Sequence, residues 1–408
     1  MPASSLTFDE FLENLRASAN NTVEQGTKFE TAMAALLPQH PEFQFEDAWR
    51  WADWPEREKL TGLTAQDTGI DIVARIRDSD EYWAIQCKFY SPESTISHSD
   101  LGTFYTASGT HPFTGRLIIT TTDNWSSTAE QAMENQQIDT HRLRLKDLRN
   151  LPIDWNWVRP DKTSFIKSDQ KTPRPHQEDA LQAAKSHYQS SERGQLIMAC
   201  GTGKTFTSLK IAEALASDKG MVLFVVPSLS LMKQTISEWA FEQHRDQRHI
   251  AVCSDDTVAS NEERNGQAAD IHSPVSTNPH RIATLINQAS TASMTVVFCT
   301  YQSLERLATA QTMFNKPFDL IICDEAHRTT GVDRENKPFA KGKNSNFVKI
   351  HEQSFIKAKM RLFQRRRDLA LFWLIRAKDA REIISLLICL WRNFIEHNHA
   401  LILAIKTQ

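Results

Sequence analysis

Short apolar runs alternate with helical patterns in the second half of the chain, from Pro175 onward. The runs lie at Gln195–Met198, Val222–Val226, His249–Cys253, Thr295–Thr300 and Leu320–Cys323. Each run is the length of a buried strand, and the intervening segments are long enough for crossover helices. Because strands buried on both faces carry apolar runs without alternation, this order predicts a parallel sheet covered by helices. The hydrophobic content of 40% over 408 residues is sufficient for such a core.

A glycine-rich turn follows the first of these runs, and it reads Gly201-Thr202-Gly203-Lys204-Thr205. Such a turn leaves backbone N–H groups free to bind phosphate at a helix N-terminus. Lys204 would reach the β and γ phosphates, and the Thr205 hydroxyl would ligate Mg²⁺. Asp324 and Glu325 follow the last apolar run, where they can hold the metal and polarise a water. Together these residues predict an ATP site, although each half alone is also typical of a plain turn or a helix N-terminus.

This half of the chain resembles the first lobe of superfamily 2 helicases of the DEAH-box type, over residues 173–363. The resemblance rests on the glycine-rich turn, on Asp324-Glu325-Ala326-His327 and on Arg174-Pro175-His176-Gln177. It implies a RecA-like lobe in which Gln177 reads the adenine edge. It also implies that two strand ends contact the sugar-phosphate backbone of a nucleic acid. The residues at those ends are Pro227, Ser228, Thr300 and Gln302.

A second constellation lies in the first half of the chain. Asp71 lies in one strand-like run at Ile70–Ala74, and Gln86 and Lys88 end the next run at Tyr82–Lys88. Glu30 lies on a preceding helix predicted at 27–37. Because residues two apart on a strand share a face, neighbouring strands would bring Asp71, Gln86 and Lys88 to one edge. Carboxylate and amide oxygens can bind Mg²⁺, and Lys88 can orient the attacking water and stabilise charge on a phosphodiester. These residues predict a DNA-cutting site, although such spacing also arises by coincidence.

The same residues are similar to the Mrr-type branch of the PD-(D/E)XK nucleases, in which Gln replaces an acidic residue. A nuclease of this type beside a helicase lobe resembles the N-terminal part of type ISP restriction-modification enzymes. The resemblance implies an α/β fold, with a PD-(D/E)XK nuclease-like domain followed by one RecA-like parallel-sheet lobe. It implies an ATP-dependent hydrolase with Mg²⁺ and ATP as cofactors and double-stranded DNA as its partner.

These readings predict a nuclease domain at 1–150, a linker at 151–172, a helicase lobe at 173–363 and an atypical tail at 364–408. The polar stretch between Cys253 and Arg281 is interpreted as a surface excursion. The resemblance implies Thr-Ala-Thr after Phe363, but the sequence there reads Gln364-Arg365-Arg366-Arg367. Our hypothesis is that a frameshift near codon 363 caused this replacement. The competing reading is a genuine C-terminal helical cap.

The resemblance further implies a second motor lobe, a methyltransferase and a target-recognition region that this chain lacks. A lone lobe has no arginine finger from a second lobe, so we expect ATP binding without efficient turnover. Two alternatives stay open. One is a non-catalytic remnant that binds DNA and ATP, and the other is an Mrr-like nuclease that cuts without ATP.

The composition limits the other classes of protein. A net charge of −3 gives no global basic signature, so nucleic-acid contacts must come from local patches. The six cysteines form no CxxC pair, which argues for reduced thiols and against a zinc site. No signal peptide pattern and no membrane-length apolar run are present, so we expect a cytoplasmic protein. The tryptophans of Trp49-Arg50-Trp51-Ala52-Asp53-Trp54 are interpreted as packing residues, with base stacking as the alternative.

Overall fold

The computed structural model describes two compact units. The described residues are 6–63, 69–133, 136–158, 170–199, 201–253, 268–289, 293–326 and 349–366. The first unit contains the described residues up to Gln170 together with a later segment, Ala268–Ser276, which we call the inserted segment. The second unit contains the described residues from Lys171 to Cys253 and from Thr277 onward. The first unit is therefore built from two stretches of the sequence.

The first unit is organised around a mixed five-stranded sheet of order β1-β2-β3-β5-β7, with a separate two-stranded pair β4-β6. The strands are β1 Phe45–Arg50, β2 Ile72–Ile76, β3 Tyr82–Lys88, β4 Thr95–Ile96, β5 Phe113–Thr120, β6 Asn124–Trp125 and β7 Asp139–Leu143. The helices are α1 Phe8–Ser18, α2 Thr22–Leu36, α3 Arg57–Thr61, α4 His98–Ser108, α5 Ser127–Met133 and α6 Leu145–Arg149. Strand β2 is antiparallel to β1 and β3, whereas β5 is parallel to β3 and β7.

Helices cover both faces of this sheet. On one face, Phe29 and Met33 of α2 pack in a cluster with Ile85 of β3. On the other face, Phe104 of α4 packs in a cluster with Ala84 of β3. Alternate residues of β3 therefore enter opposite cores, as the two-residue period of a strand requires. The buried Trp51 and Trp54 belong to the second cluster, which agrees with their interpretation as packing residues.

Helix α2 begins five residues earlier than the pattern starting at Thr27 predicted. The Asn21 side chain accepts a hydrogen bond from the Glu24 N–H at 2.9 Å and so caps the helix. Because an Asn cap satisfies one of the free N–H groups of the first turn, it fixes the helix start upstream of Gly26. Gly26 is consequently an internal residue of α2 and does not open it.

The linker predicted at 151–172 begins inside the first unit. Ile153, Trp155 and Val158 are buried in the same cluster as α1 and α2. The Asp154 carboxylate accepts from the Leu6 N–H at 2.8 Å, which ties this stretch to the start of the chain. The linker prediction therefore starts too early, because described residues up to 158 contribute to the core of the first unit.

The inserted segment also departs from the sequence-based interpretation, because part of the predicted surface excursion is buried. Asp270 forms ion pairs with Arg142 at 2.7 Å and with Arg144 at 3.0 Å. His272 lies 3.0 Å from the Glu42 carboxylate. The backbone carbonyl of Ile271 lies 2.6 Å from Nδ1 of His141. Each polar group is matched by a partner more than a hundred residues away in the sequence, so the local polarity of the segment did not reveal its burial.

The stability of the first unit is expected to fall as the pH drops from 7.5 to 5. Burial lowers the pKa values of His40 and His141 to about 4, against about 6.5 for an unfolded chain. Both rings are therefore neutral in the folded protein and take up protons on unfolding. Their contribution is complete above about pH 6.5 and is lost as the pH falls toward 4, by about 2 kcal/mol per histidine at pH 5.

Hydrogen exchange of the β7 amides at pH 7.5 and pH 5 measures this loss. In His141→Asn the amide can still donate to the Ile271 carbonyl but does not titrate, so the pH-dependent loss should fall by about half. The matched control is His98→Asn, because His98 is exposed on α4. Equal pH dependence in the wild type and His141→Asn would contradict the assignment.

The second unit is a six-stranded sheet of order β10-β11-β9-β12-β13-β8 in which every pairing is parallel. Its strands are β8 Arg193–Met198, β9 Met221–Val226, β10 Gln247–Val252, β11 Met294–Thr300, β12 Phe318–Cys323 and β13 Ala358–Arg366. Its helices are α7 Pro175–His187, α8 Lys204–Leu215, α9 Leu229–Glu242, α10 Pro279–Ala289 and α11 Leu304–Phe314. The predicted mixed α/β architecture, with a parallel sheet in this half, is confirmed.

Strand β13 was not among the predicted strands, and it continues past the expected end of the lobe at Phe363. It lies between β12 and β8, and Gln364 pairs with Leu196 of β8. Gln364 is buried in this position. The predicted tail at 364–408 therefore begins inside the sheet, while its residues from 367 onward lie outside the described part.

Within the described residues, no helix is long and apolar enough to cross a membrane.

Candidate functional site: a phosphate-binding turn and a second polar cluster

The glycine-rich turn connects β8 to α8 at the carboxyl edge of the parallel sheet. Gly201 and Gly203 have φ angles of 74° and 82°, in the left-handed region that side chains other than glycine rarely adopt. A Cβ atom at Gly203 would also lie 2.4 Å from Nε2 of Gln177. The turn therefore depends on these glycines, and it ends with Lys204 in the first turn of α8.

The Lys204 ammonium lies beside both predicted carboxylates. Its Nζ is 3.9 Å from Oδ1 of Asp324 and 3.6 Å from Oε1 of Glu325. Nζ is buried and has no hydrogen-bond partner among the described residues. A buried ammonium without hydrogen bonds is costly, and phosphate oxygens are the partners that would satisfy it. The turn, Lys204 and the two carboxylates therefore fit the phosphates of a nucleotide.

Asp324 and Glu325 follow β12, and two backbone hydrogen bonds hold Asp324. Its N–H donates to the carbonyl of Val225 in β9 at 2.9 Å. Its carbonyl accepts from the Tyr301 hydroxyl at 2.8 Å. The next residue, Glu325, has a φ of 48°, which is an unusual value for a residue with a side chain. The predicted His327 lies outside the described residues.

Gln177 lies beside the turn, where the sequence placed it, but its amide is bonded to the protein. Its Nε2 donates to the Thr202 carbonyl at 3.0 Å, and its Oε1 accepts from the Arg174 N–H at 2.9 Å. The neighbouring His176 contacts the same Thr202 carbonyl at 3.1 Å. The amide therefore buttresses the turn in this structure.

Two further contacts support the first turn of α8. The Thr205 carbonyl accepts from Nε1 of Trp239 in α9 at 3.1 Å. The Thr202 hydroxyl donates to the Ala199 carbonyl at 2.8 Å. Sequence analysis did not identify Trp239, because its role depends on packing between helices that carries no local motif.

The predicted nucleic-acid residues occupy the carboxyl ends of β9 and β11, as expected from the pattern. Pro227 and Thr300 are buried, and Ser228 is half-buried as the N-cap of α9. The Thr300 hydroxyl donates to Oγ of Ser303 at 3.0 Å. Gln302 is exposed. Gln302 is thus the most accessible of the four for an external partner.

The second polar cluster lies in the first unit, where Asp71 precedes β2 and lies against β3. The Asp71 carboxylate accepts from the Cys87 N–H at 2.7 Å, and its own N–H donates to the Ile85 carbonyl at 3.0 Å. Nε2 of Gln86 donates to the Gly69 carbonyl at 3.2 Å. Oε1 of Gln86 is buried and has no hydrogen-bond partner among the described residues. An acceptor oxygen in this state suits a cation or a water.

The pKa of the Cys87 thiol depends on the charged residues of this cluster. Burial raises the pKa of the Cys87 thiol well above its ordinary value, and the charges of Asp71 and Glu30 raise it further. The charge of Lys88 acts in the opposite direction. The structure thus brings Glu30, Asp71 and Lys88 close to one thiol, although they come from α2, the start of β2 and the end of β3.

Asp100 of α4 is a further carboxylate near Lys88 that the sequence analysis missed. Burial alone would raise its pKa, but hydrogen bonds from Ser97 and Tyr90, together with the charge of Lys88, lower it. The Tyr90 hydroxyl donates to Asp100 at 2.8 Å. Among the described residues, no group of three or more His, Cys, Asp or Glu side chains is arranged to hold a metal ion. Among the described residues, a cation here would therefore need the Gln86 oxygen in addition to the carboxylates.

Comparison with known families identifies both halves of the chain. Residues 38–165 match a family described as restriction endonuclease, and residues 170–362 match a family described as type III restriction enzyme, res subunit. These two kinds of domain, a nuclease and a helicase-type ATPase, indicate a hydrolase acting on DNA. They also imply the use of a nucleotide and a divalent metal.

Three relatives of known identity resemble parts of the chain. The structure of the ATP-dependent Type ISP restriction-modification enzyme LlaBIII bound to DNA is 31% identical, with a TM-score of 0.72, over 88% of this chain and 22% of that chain. A nuclease-deletion mutant of the Type ISP enzyme LlaGI, in complex with a DNA substrate mimic, is 36% identical over 48% of this chain and 17% of that chain, with a TM-score of 0.39. Probable helicase A859L of African swine fever virus (isolate Tick/Malawi/Lil 20-1/1983) is 31% identical over 203 residues, 48% of this chain and 21% of the viral protein.

The chain spans about a fifth of the length of LlaBIII and of the viral relative. The match to LlaBIII nevertheless extends through most of this chain. The predicted resemblance to type ISP enzymes, with a nuclease-like domain followed by a RecA-like lobe, is confirmed.

Proposed function

Because the chain joins a restriction endonuclease domain to a helicase-type ATPase domain, we propose that it supplies the nuclease and first motor lobe of an ATP-dependent restriction enzyme. The observation that carries this proposal is the buried ammonium of Lys204 beside two carboxylates and a glycine turn. This ammonium has no hydrogen-bond partner in the part of the chain that the structure describes. The same chain carries the cluster of Glu30, Asp71 and Lys88. One polypeptide thus contains a site suited to ATP and a site suited to cutting a phosphodiester.

In the second unit, the N–H groups of Gly201, Thr202 and Gly203 and the ammonium of Lys204 bind the phosphates of ATP. Thr205 and Asp324 hold Mg²⁺, which when bound neutralises charge on the phosphates. Glu325 orients a water and takes its proton as the water oxygen bonds to the γ phosphorus. The bond to the β–γ bridging oxygen breaks, and ADP and phosphate are released.

Gln177 is the residue that recognises the adenine base in this proposal. Its amide uses one N–H to bond the Thr202 carbonyl and one lone pair to accept from the Arg174 N–H. Because an amide has a second N–H and a second lone pair, Gln177 can bond the adenine edge while it keeps both partners beside the phosphate loop.

In the first unit, Asp71, the amide oxygen of Gln86 and Glu30 are the residues that hold Mg²⁺. The metal, when bound, activates water and offsets charge on the phosphodiester. Lys88 orients the attacking water and stabilises the negative charge that develops on the phosphate. Attack at phosphorus breaks one bridging P–O bond and leaves two DNA ends.

Double-stranded DNA is the substrate that this proposal assigns. Support comes from LlaBIII, whose similar structure is a complex with DNA. Gln302, with Pro227, Ser228 and Thr300 at the neighbouring strand ends, is assigned to the DNA backbone. Within an intact enzyme the lobe would act with a second motor lobe, a methyltransferase and a target-recognition region.

Incubation of the purified chain with supercoiled plasmid tests the proposal. We expect nicking or linearisation that requires Mg²⁺ and is abolished by EDTA, together with ATP binding by equilibrium dialysis. ATP binding without cleavage would indicate a DNA- and ATP-binding remnant. Cleavage without ATP binding would indicate an Mrr-like nuclease that acts without ATP, and either result would overturn the combined assignment.

A further inference from the structure

Tyr301 is buried in the core of the second unit, yet its hydroxyl reaches the edge of the candidate ATP site. Its ring belongs to the cluster that contains β9, β11 and β12. Its hydroxyl donates to the Asp324 carbonyl at 2.8 Å. Burial raises the pKa of Tyr301 well above its ordinary value, and the neighbouring Cys323 thiol and the charges of Asp324 and Glu325 raise it further. A buried hydroxyl therefore ends beside both acidic residues.

The hydrogen bond from the Tyr301 hydroxyl to the Asp324 carbonyl restrains the peptide group between Asp324 and Glu325. The Asp324 carbonyl lies in the plane of that peptide, so fixing the carbonyl restricts the φ angle of Glu325. That φ is 48°, a left-handed value that costs a residue with a side chain some energy and persists only when its surroundings impose it. The Val225 carbonyl holds Asp324 from the other side through its N–H. The Tyr301 hydroxyl is thus well placed to keep Glu325 in this conformation.

We propose that Tyr301 is a positioning residue for ATP hydrolysis, which fixes the Asp324–Glu325 peptide and thereby aims the Glu325 carboxylate. The inference rests on the proposed ATP hydrolysis and adds a residue outside the phosphate loop and the acidic pair. Tyr301 acts through the backbone and does not touch the nucleotide. Its removal should therefore slow the chemical step while ATP binding is retained.

The test compares Tyr301→Phe with a matched variant, Tyr188→Phe. Both substitutions remove one tyrosine hydroxyl from a backbone carbonyl in the second unit, because Tyr188 donates to the Arg361 carbonyl at 2.7 Å. Tyr188 is remote from the acidic pair in sequence and bonds a different strand. Loss of one such bond at a critical step corresponds to about a tenfold change in rate.

Single-turnover hydrolysis of ATP and the Kd for ATP are measured for the wild type and both variants. We expect Tyr301→Phe to hydrolyse ATP about tenfold more slowly with a Kd within about twofold of wild type, and Tyr188→Phe to match the wild type in both. Equal rates for the two variants would overturn the inference, as would a parallel loss of ATP binding in Tyr301→Phe. A wild type that binds ATP but never hydrolyses it would overturn ATP hydrolysis itself, and the positioning role with it.

A double-mutant comparison separates positioning from a general weakening of the lobe. If Tyr301 acts through Glu325, Tyr301→Phe should cause no further loss of rate in a Glu325→Gln background. An additional tenfold loss in that background would show that Tyr301 acts by another route, and would overturn the inference.

Discussion

Replacement of Lys88 by alanine is expected to reduce Mg²⁺-dependent DNA cleavage by about 10²- to 10³-fold, the range for removal of a group that stabilises charge or positions a proton in the transition state. The charge of Lys88 lowers the pKa of the Cys87 thiol, where it opposes the charges of Asp71 and Glu30. Without the Lys88 ammonium, less positive charge offsets the repulsion between the carboxylates of Glu30 and Asp71 and the scissile phosphate. Plasmid nicking at saturating enzyme measures the loss.

The matched control for Lys88→Ala is Lys146→Ala, which removes an exposed lysine from α6 of the same unit. This control should cut at the wild-type rate. The ATP affinity of Lys88→Ala should be unchanged, because ATP is assigned to the second unit. Undiminished nicking by Lys88→Ala would remove Lys88 from the nuclease site.

Replacement of Lys204 by alanine should weaken ATP binding by about 10- to 100-fold, since charge-assisted hydrogen bonds contribute about 1.5–3 kcal/mol. The buried Nζ of Lys204 has no hydrogen-bond partner among the described residues, so phosphate would satisfy it without breaking an existing bond. A ligand that binds only the folded state stabilises it in proportion to RT ln(1 + [L]/Kd), which is about 2.7 kcal/mol at a hundredfold excess over Kd.

Thermal unfolding with and without ATP gives the readout for Lys204→Ala. The wild type should gain stability from ATP, whereas Lys204→Ala should gain little at the same concentration. Lys219→Ala serves as the control, because Lys219 is an exposed residue of the same unit, beyond the end of α8. Similar stabilisation of Lys204→Ala and wild type by ATP would refute the phosphate-binding role.

The parallel strands could be predicted because burial on both faces imposes apolar runs, which are visible in a single sequence. Strand β13 escaped prediction because Arg361 interrupts its pattern. In the structure, that guanidinium is buried and donates to the carbonyls of Ile350 and Ile356 at 3.1 and 2.6 Å. Backbone carbonyls satisfy the charge of the Arg361 guanidinium, and their positions cannot be predicted from a sequence pattern.

The candidate sites also contain some residues that the sequence predicts and others that it does not. Lys204 and Asp324 could be named because the chemistry of phosphate and metal restricts both residue type and order along the chain. The contacts of Tyr301, Trp239 and His176 could not be predicted, because each is made to a backbone carbonyl and any residue can supply such a carbonyl. The partners of a backbone group follow from the folded arrangement alone.

The inserted segment has a consequence for the order of events during synthesis. Chains emerge from the ribosome from the N-terminus, and domains generally fold as units. Arg142 and Arg144 have the earlier partners Glu130 and Asp147, but they meet Asp270 only after residue 270 has been made, long after β7 is complete. By then β8, β9 and β10 have emerged, although none of them neighbours another in the finished sheet. The first unit therefore gains its contacts with the inserted segment only after three strands of the second unit have been translated.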